Sequence, residues 1–225
     1  MGKLNTHVLC TCLAVMAPLA ARAASINFDT NLPVGLVPNS TYLAGASVDA
    51  AAQLTNQFES LGAIFNTIGG APYAALIDLG VGHAVSGSNG IGTVSSGNTL
   101  DYALNLDIFL VVPGTLTPAV TDLISIQGDQ YPSFGQVYFS AYDVNGKQIA
   151  TGQATDTGAT TFSLSAPGIH EFRLSSENND VAYDNLVFDT PVSPTDPGPV
   201  SAPEPSTLGL AGLALAGVYT LKRKA

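Results

Sequence analysis

Gln136-Val137-Tyr138-Phe139-Ser140-Ala141-Tyr142-Asp143-Val144, then Asn145-Gly146, then Lys147-Gln148-Ile149-Ala150-Thr151-Gly152, is the stretch that decides the fold. Two runs of alternating apolar and polar residues meet across Asn-Gly. That dipeptide is a strong hairpin signal, because a type I′ turn needs two residues at positive φ. Working outward, similar short runs are set apart by Gly, Ser, Asn and Pro. They lie at Ile26–Asp29, Ala63–Thr67, Tyr73–Leu79, Leu100–Val112, Thr160–Ser165, His170–Ser175 and Ala182–Phe188. In the longest, Tyr102, Leu104, Leu106, Ile108 and Leu110 point one way and Asn105 and Asp107 the other. Nine short strands predict a mainly β chain. The expected form is an antiparallel two-sheet β-sandwich, jelly-roll-like, with an up-and-down barrel as the alternative. One short helix interrupts the pattern over Asp49–Leu61. Asp49 is its cap, Leu54, Phe58 and Leu61 recur at helical spacing, and Gly62 stops it.

Both ends of the chain read as targeting segments. Lys3 precedes an apolar stretch, Val8 to Ala20, and Ala21-Arg22-Ala23 meets the small-x-small rule of signal peptidase. Residues 1–23 are therefore expected to be a helical signal peptide, cut after Ala23. Cys10 and Cys12 leave with it, so disulfides and cysteine-based zinc or redox chemistry are excluded from the mature chain. The globular domain is expected at 24–189. Residues 190–201 form a Pro-rich linker with Pro191, Pro194, Pro197 and Pro199. Beyond it come Pro203-Glu204-Pro205, an uncharged run from Thr207 to Leu221, and Lys222-Arg223-Lys224. A helix over 207–221 would span about 22 Å against a hydrocarbon core of ~30 Å, short for a permanent anchor. The three bases flank the membrane and hold that end on the cytoplasmic side.

Residues 202–225 resemble the PEP-CTERM sorting signal of Gram-negative bacteria. The matching parts are Pro203-Glu204-Pro205, the glycine-rich apolar run and the basic end. The resemblance implies a precursor held transiently in the inner membrane and processed near the Pro-Glu-Pro motif by an exosortase. Delivery to the cell surface or the extracellular polysaccharide would follow. Gln57 to Phe65 and Val181 to Phe188 are similar to segments of the β-sandwich domains common in such proteins.

All seventeen acidic residues lie between Asp29 and Glu204, where Lys147 and Arg173 are the only bases, leaving −15. Nothing there neutralises phosphate, so nucleic acid is excluded as a partner. The plain reading of the charge is solubility outside the cell. The sharper one is calcium, held by Asp29, Glu177, Asp180 and Asp184 with neighbouring Asn oxygens. No other cofactor is expected. His83 and His170 stand in unrelated contexts and read as structural or solvated. No serine sits in a G-x-S-x-G elbow, and the domain's only glutamates are Glu59, Glu171 and Glu177. No catalytic residue is assigned. An exposed loop at Gln130–Gly135 offers Tyr131 and Phe134 for contact with glycans or partners. The chain lacks tryptophan, the usual sugar platform, though tyrosines substitute in part. The sequence therefore predicts a non-catalytic adhesive or structural protein. A carbohydrate-binding module, with or without calcium, is the alternative, and a secreted hydrolase the least favoured reading.

Overall fold

The computed structural model describes residues 23–30, 32–65, 73–130, 135–155, 158–177 and 181–194. Residues 1–22 of the expected signal peptide, the aromatic loop at Tyr131–Phe134, Asp180 and the sorting signal at 202–225 with its expected helix lie outside them, whereas Ala23, expected to end the signal helix, is in a strand paired with Asp189. Among the described residues no helix is long and apolar enough to cross a membrane. Ala21–Gly198 forms one compact unit.

Among the described residues twelve strands follow one another: β1 Ala23–Ile26, β2 Gln53–Leu54, β3 Ala63–Ile64, β4 Tyr73–Asp78, β5 Asn89–Val94, β6 Leu106–Leu110, β7 Thr121–Gln130, β8 Gln136–Tyr142, β9 Gln148–Thr155, β10 Thr160–Ile169, β11 Glu171–Ser176 and β12 Val181–Asp189. They make two antiparallel sheets. One has seven strands in the order β10-β7-β12-β5-β4-β2, with β1 added beside β12. The other has five, β3-β6-β11-β8-β9. The expected antiparallel two-sheet sandwich is therefore what the chain forms.

Alternation builds the core between the sheets. Val137, Phe139 and Ala141 of β8 point in, as do Phe172 and Leu174 of β11 and Ile124 and Ile126 of β7. Phe28, Phe58 and Phe65 meet edge to face at 5.6–6.0 Å, a favoured aromatic geometry. A second, smaller core lies on the outer side of the seven-stranded sheet. There Val48, Ala52, Leu100 and Tyr102 cover Ala75, Ile77, Val94 and Ala182.

Four expectations need correction. The helix over Asp49–Leu61 is absent: two single 3₁₀ turns, Ala50–Ala52 and Glu59–Leu61, flank β2 instead. Asp49 makes no side-chain cap bond, and Gln53 and Leu54 pair with Ala75 and Ala74 of β4. Pairing to a sheet edge overrides local helix preference here. The strand expected over Leu100–Val112 is regular only at Leu106–Leu110, because Leu100 and Tyr102 are drawn into the outer core.

The Asn145-Gly146 turn is not type I′. Among the described residues only Asn98 and Asn185 are non-glycine residues at positive φ, whereas Gly146 lies at +75°. Gly146 N–H donates to the Asp143 carbonyl at 3.0 Å and Asp143 N–H to the Lys147 carbonyl at 2.9 Å. This is a type I turn closed by a glycine bulge. The expected linker at 190–201, finally, begins with docked residues. Pro191 is buried, and Val192 exchanges two backbone hydrogen bonds with Val120.

Candidate functional site

The first polar site lies where β12 changes neighbours. Tyr183 pairs with Ile91 of β5, whereas Leu186 to Asp189 pair with β1. The register with β7 shifts between Asp184 and Val187, and Asn185 takes φ +50°. Backbone pairing lapses at that fork, so side chains complete the hydrogen bonding. The Asp29 Oδ1 accepts the backbone N–H groups of Ser88 and Asn89, both at 2.8 Å. Asn27 and Asn185 bond each other at 3.1 Å, and Asn185 donates to Gln127 at 2.9 Å.

The Ser86 hydroxyl stands at the centre. Its oxygen is 2.6 Å from Asp184 Oδ2 and 3.1 Å from Asp29 Oδ2. Asp184 is 1% exposed. One hydroxyl carries one hydrogen and satisfies one of these acceptors at a time. The set is all oxygen, the donor type calcium takes, but supplies only two carboxylates. Among the described residues no group of three or more acidic, His or Cys side chains is gathered for a metal.

The four expected calcium ligands are thus only partly brought together. Asp29 and Asp184 converge, on the outer side of the seven-stranded sheet. Asp180 lies outside the described residues. Glu177 belongs to the opposite sheet, where its carboxylate accepts the Tyr138 hydroxyl at 2.7 Å. Strand alternation sends it to the far face of the sandwich. The histidines also stay apart. His83 stacks on Tyr42 with centroids 6.3 Å apart, and His170 Nδ1 lies 2.9 Å from the Ala119 carbonyl.

The second site is that far face, the outer side of the five-stranded sheet. Register lines Asp107, Arg173, Ser140 and Thr151 across β6, β11, β8 and β9. The next row holds Phe109, Glu171 and Tyr142. Arg173 donates to Asp107 at 2.6 Å and to Glu171 at 2.8 Å, and its guanidinium lies 5.0 Å from the Tyr142 ring centroid. Both carboxylates are buried, whereas the arginine side chain is 37% exposed. Burial pushes the Glu171 carboxyl up, against the pull of Arg173. Burial also opposes the charge on Arg173, but the bond and charge of Asp107 with Glu171 more than offset it and raise its value. Tyr138, four residues from Tyr142 on the same face, is 41% exposed. The hydrogen bond to Glu177 raises its phenol. Sequence reasoning missed this face. Its only signal was a set of outward positions richer in Tyr, Arg and carboxylates than plain solvation requires.

The profile of the PEP-CTERM protein-sorting motif matches residues 201–224. The chain carries a PEP-CTERM sorting motif. It is accordingly an exosortase substrate, exported and sorted to the cell envelope or surface. The motif covers Pro203, Glu204, Pro205 and the basic Lys222, Arg223 and Lys224. No curated protein matches the chain. Solved structures are similar only distantly. An arabinose-bound GH51 α-L-arabinofuranosidase shares 14% identity over 71% of this chain and 31% of its own, with TM-score 0.36. The CBM22-1–GH10 modules of Clostridium thermocellum xylanase 10B, complexed with xylohexaose, share 13% over 71% and 29%, with TM-score 0.33. Tailspike protein 4 of bacteriophage CBA120 shares 8% over 61% and 20%, with TM-score 0.26. This chain spans less than a third of the length of each.

Proposed function

We propose that the sandwich of this PEP-CTERM chain is a non-catalytic module that holds extracellular polysaccharide at the cell surface or in the biofilm matrix. It does so on the outer face of its five-stranded sheet. The carrying observation is the ion-pair cluster of Asp107, Arg173 and Glu171 on β6 and β11, beside Tyr138 and Tyr142 of β8. Sugar hydroxyls both donate and accept. Arg173 offers donors and Glu171 and Glu177 offer acceptors, held in place before any ligand arrives. The tyrosine rings supply apolar faces for sugar C–H groups and a polar tip at the edge. The absence of a nucleophile motif in the sequence supports the non-catalytic reading. Gel electrophoresis through a panel of dissolved polysaccharides tests the site. At least one polymer should retard the chain, and Tyr138→Ala should weaken that binding by roughly tenfold, about 1.4 kcal/mol. Migration unaffected by every polymer would remove this reading.

Calcium is the second element of the proposal, favoured by the convergence of Asp29 and Asp184 on the one Ser86 hydroxyl. The two carboxylates, the Asn185 side-chain oxygen and neighbouring carbonyls would hold the ion. There it would brace the fork in the seven-stranded sheet, on the opposite face from the glycan.

A further inference from the structure

We infer that β9, the free edge of the five-stranded sheet, is an association surface for a second copy of this chain. Among the described residues the strands with an unpaired edge are not alike, and β1, beside β12, is only four residues long. β2 and β3 are two residues each. β10 is long but carries Pro167 and a register shift between Ser165 and Ile169. Short length, proline and bulges are the devices that keep edges from pairing. β9 is neither short nor broken by proline, and its one register shift lies at its start, between Gln148 and Ala150, so that Ala150 to Thr155 is regular. It runs eight residues, Gln148-Ile149-Ala150-Thr151-Gly152-Gln153-Ala154-Thr155, without charge or proline. Among the described residues it pairs with β8 alone.

A partner strand must bring its own free edge and match this one side chain for side chain. β9 matches itself. Two antiparallel copies related by a two-fold axis perpendicular to the sheet keep outward residues opposite outward ones. Centred on Gly152, that register sets Thr151 against Gln153 of the other copy and Ala150 against Ala154. Exposed polar residues then meet exposed polar ones, and half-buried alanines meet alanines. The span from Asp29 to Glu204 carries −15, so most of the surface repels a second copy. This uncharged strip lets two copies approach without placing like charges opposite each other. The same axis leaves both outer faces on one side. Tyr138, Tyr142 and Arg173 of the two copies would then line a single ten-stranded surface.

Light scattering on the exported chain over a wide concentration range tests this. The expected result is a mass rising to twice the monomer. T151K/Q153K sets lysine against lysine across the interface and should weaken association roughly tenfold. T151K/Q153E sets lysine against glutamate in the same register and should restore the doubled mass. Both positions are exposed, and circular dichroism checks that each variant keeps its strands. A wild type that stays monomeric throughout overturns the inference, as does a double-lysine chain that associates as well as wild type. A lysine–glutamate chain as weak as the double-lysine one overturns the self-paired register.

Discussion

Asp29 shows how much one side chain holds at the sheet fork. Its carboxylate accepts two backbone N–H groups and approaches Ser86. Asp29→Ala leaves those amides without partners and should cost about 2–4 kcal/mol, read from urea unfolding. If calcium sits beside it, added calcium should raise the melting temperature of the wild type and a chelator should lower it, with Asp184→Asn insensitive to both. An unchanged melting temperature in all three conditions refutes the ion. Asp29 and Asp184 were legible from sequence as carboxylates in the first and last apolar runs, which the fold brings together by pairing β1 with β12. Glu177 was misplaced because strand alternation, invisible in a polar loop, turns it to the other face. Asp143 gives a pH effect. Backbone hydrogen bonds from Lys147, and then from Asn145, hold its carboxyl below its ordinary value. The stabilisation is present above the ordinary carboxylate value and is lost as pH falls through the lowered one. Amide exchange at Asn145 and Lys147, compared with Asp143→Asn, should show protection fading over that acidic window in the wild type only.

At the scale of elements, the hairpin was readable and its turn was not. Asn-Gly announces a turn of some kind, but Asp143, by accepting the Asn145 and Lys147 amides, favours the type I form with Gly146 alone at positive φ. Gly146→Val should therefore cost about 1–2 kcal/mol, seen as a lower urea midpoint with an unchanged slope. Two strands escaped the sequence altogether. β5 begins Asn89-Gly90-Ile91-Gly92, which reads as loop. Yet a Cβ on Gly92 would come within 2.5 Å of both Ile77 and Tyr102, so the glycine marks close packing rather than a turn. β7, second from the edge of its sheet, has only Ile124 and Ile126 as fully buried apolar residues, set among the exposed Leu123 and the polar Ser125 and Gln127. The helix expected over Asp49–Leu61 failed for the converse reason, since a free edge on β4 captured Gln53 and Leu54.

The whole molecule is one-sided in charge, and its sandwich has no disulfide to offset the resulting repulsion. Salt screens such charges over about 10 Å at 0.1 M. Calorimetry should show the melting temperature rising with sodium chloride, most steeply at low concentration; a flat profile would mean the carboxylates are already paired or bound to ions. The docked Pro191 and Val192 carry a different consequence. The chain continues from β12, which lies between β7 on one side and β1 on the other, through a pair of bonds from Val192 to Val120. A tug on the tail along the strand loads the Val120–Val192 pair. It then loads the flanking ladders lengthwise, many bonds at once, rather than peeling an outer strand bond by bond. The route of exit thus gives a displayed protein a mechanical clamp against drag.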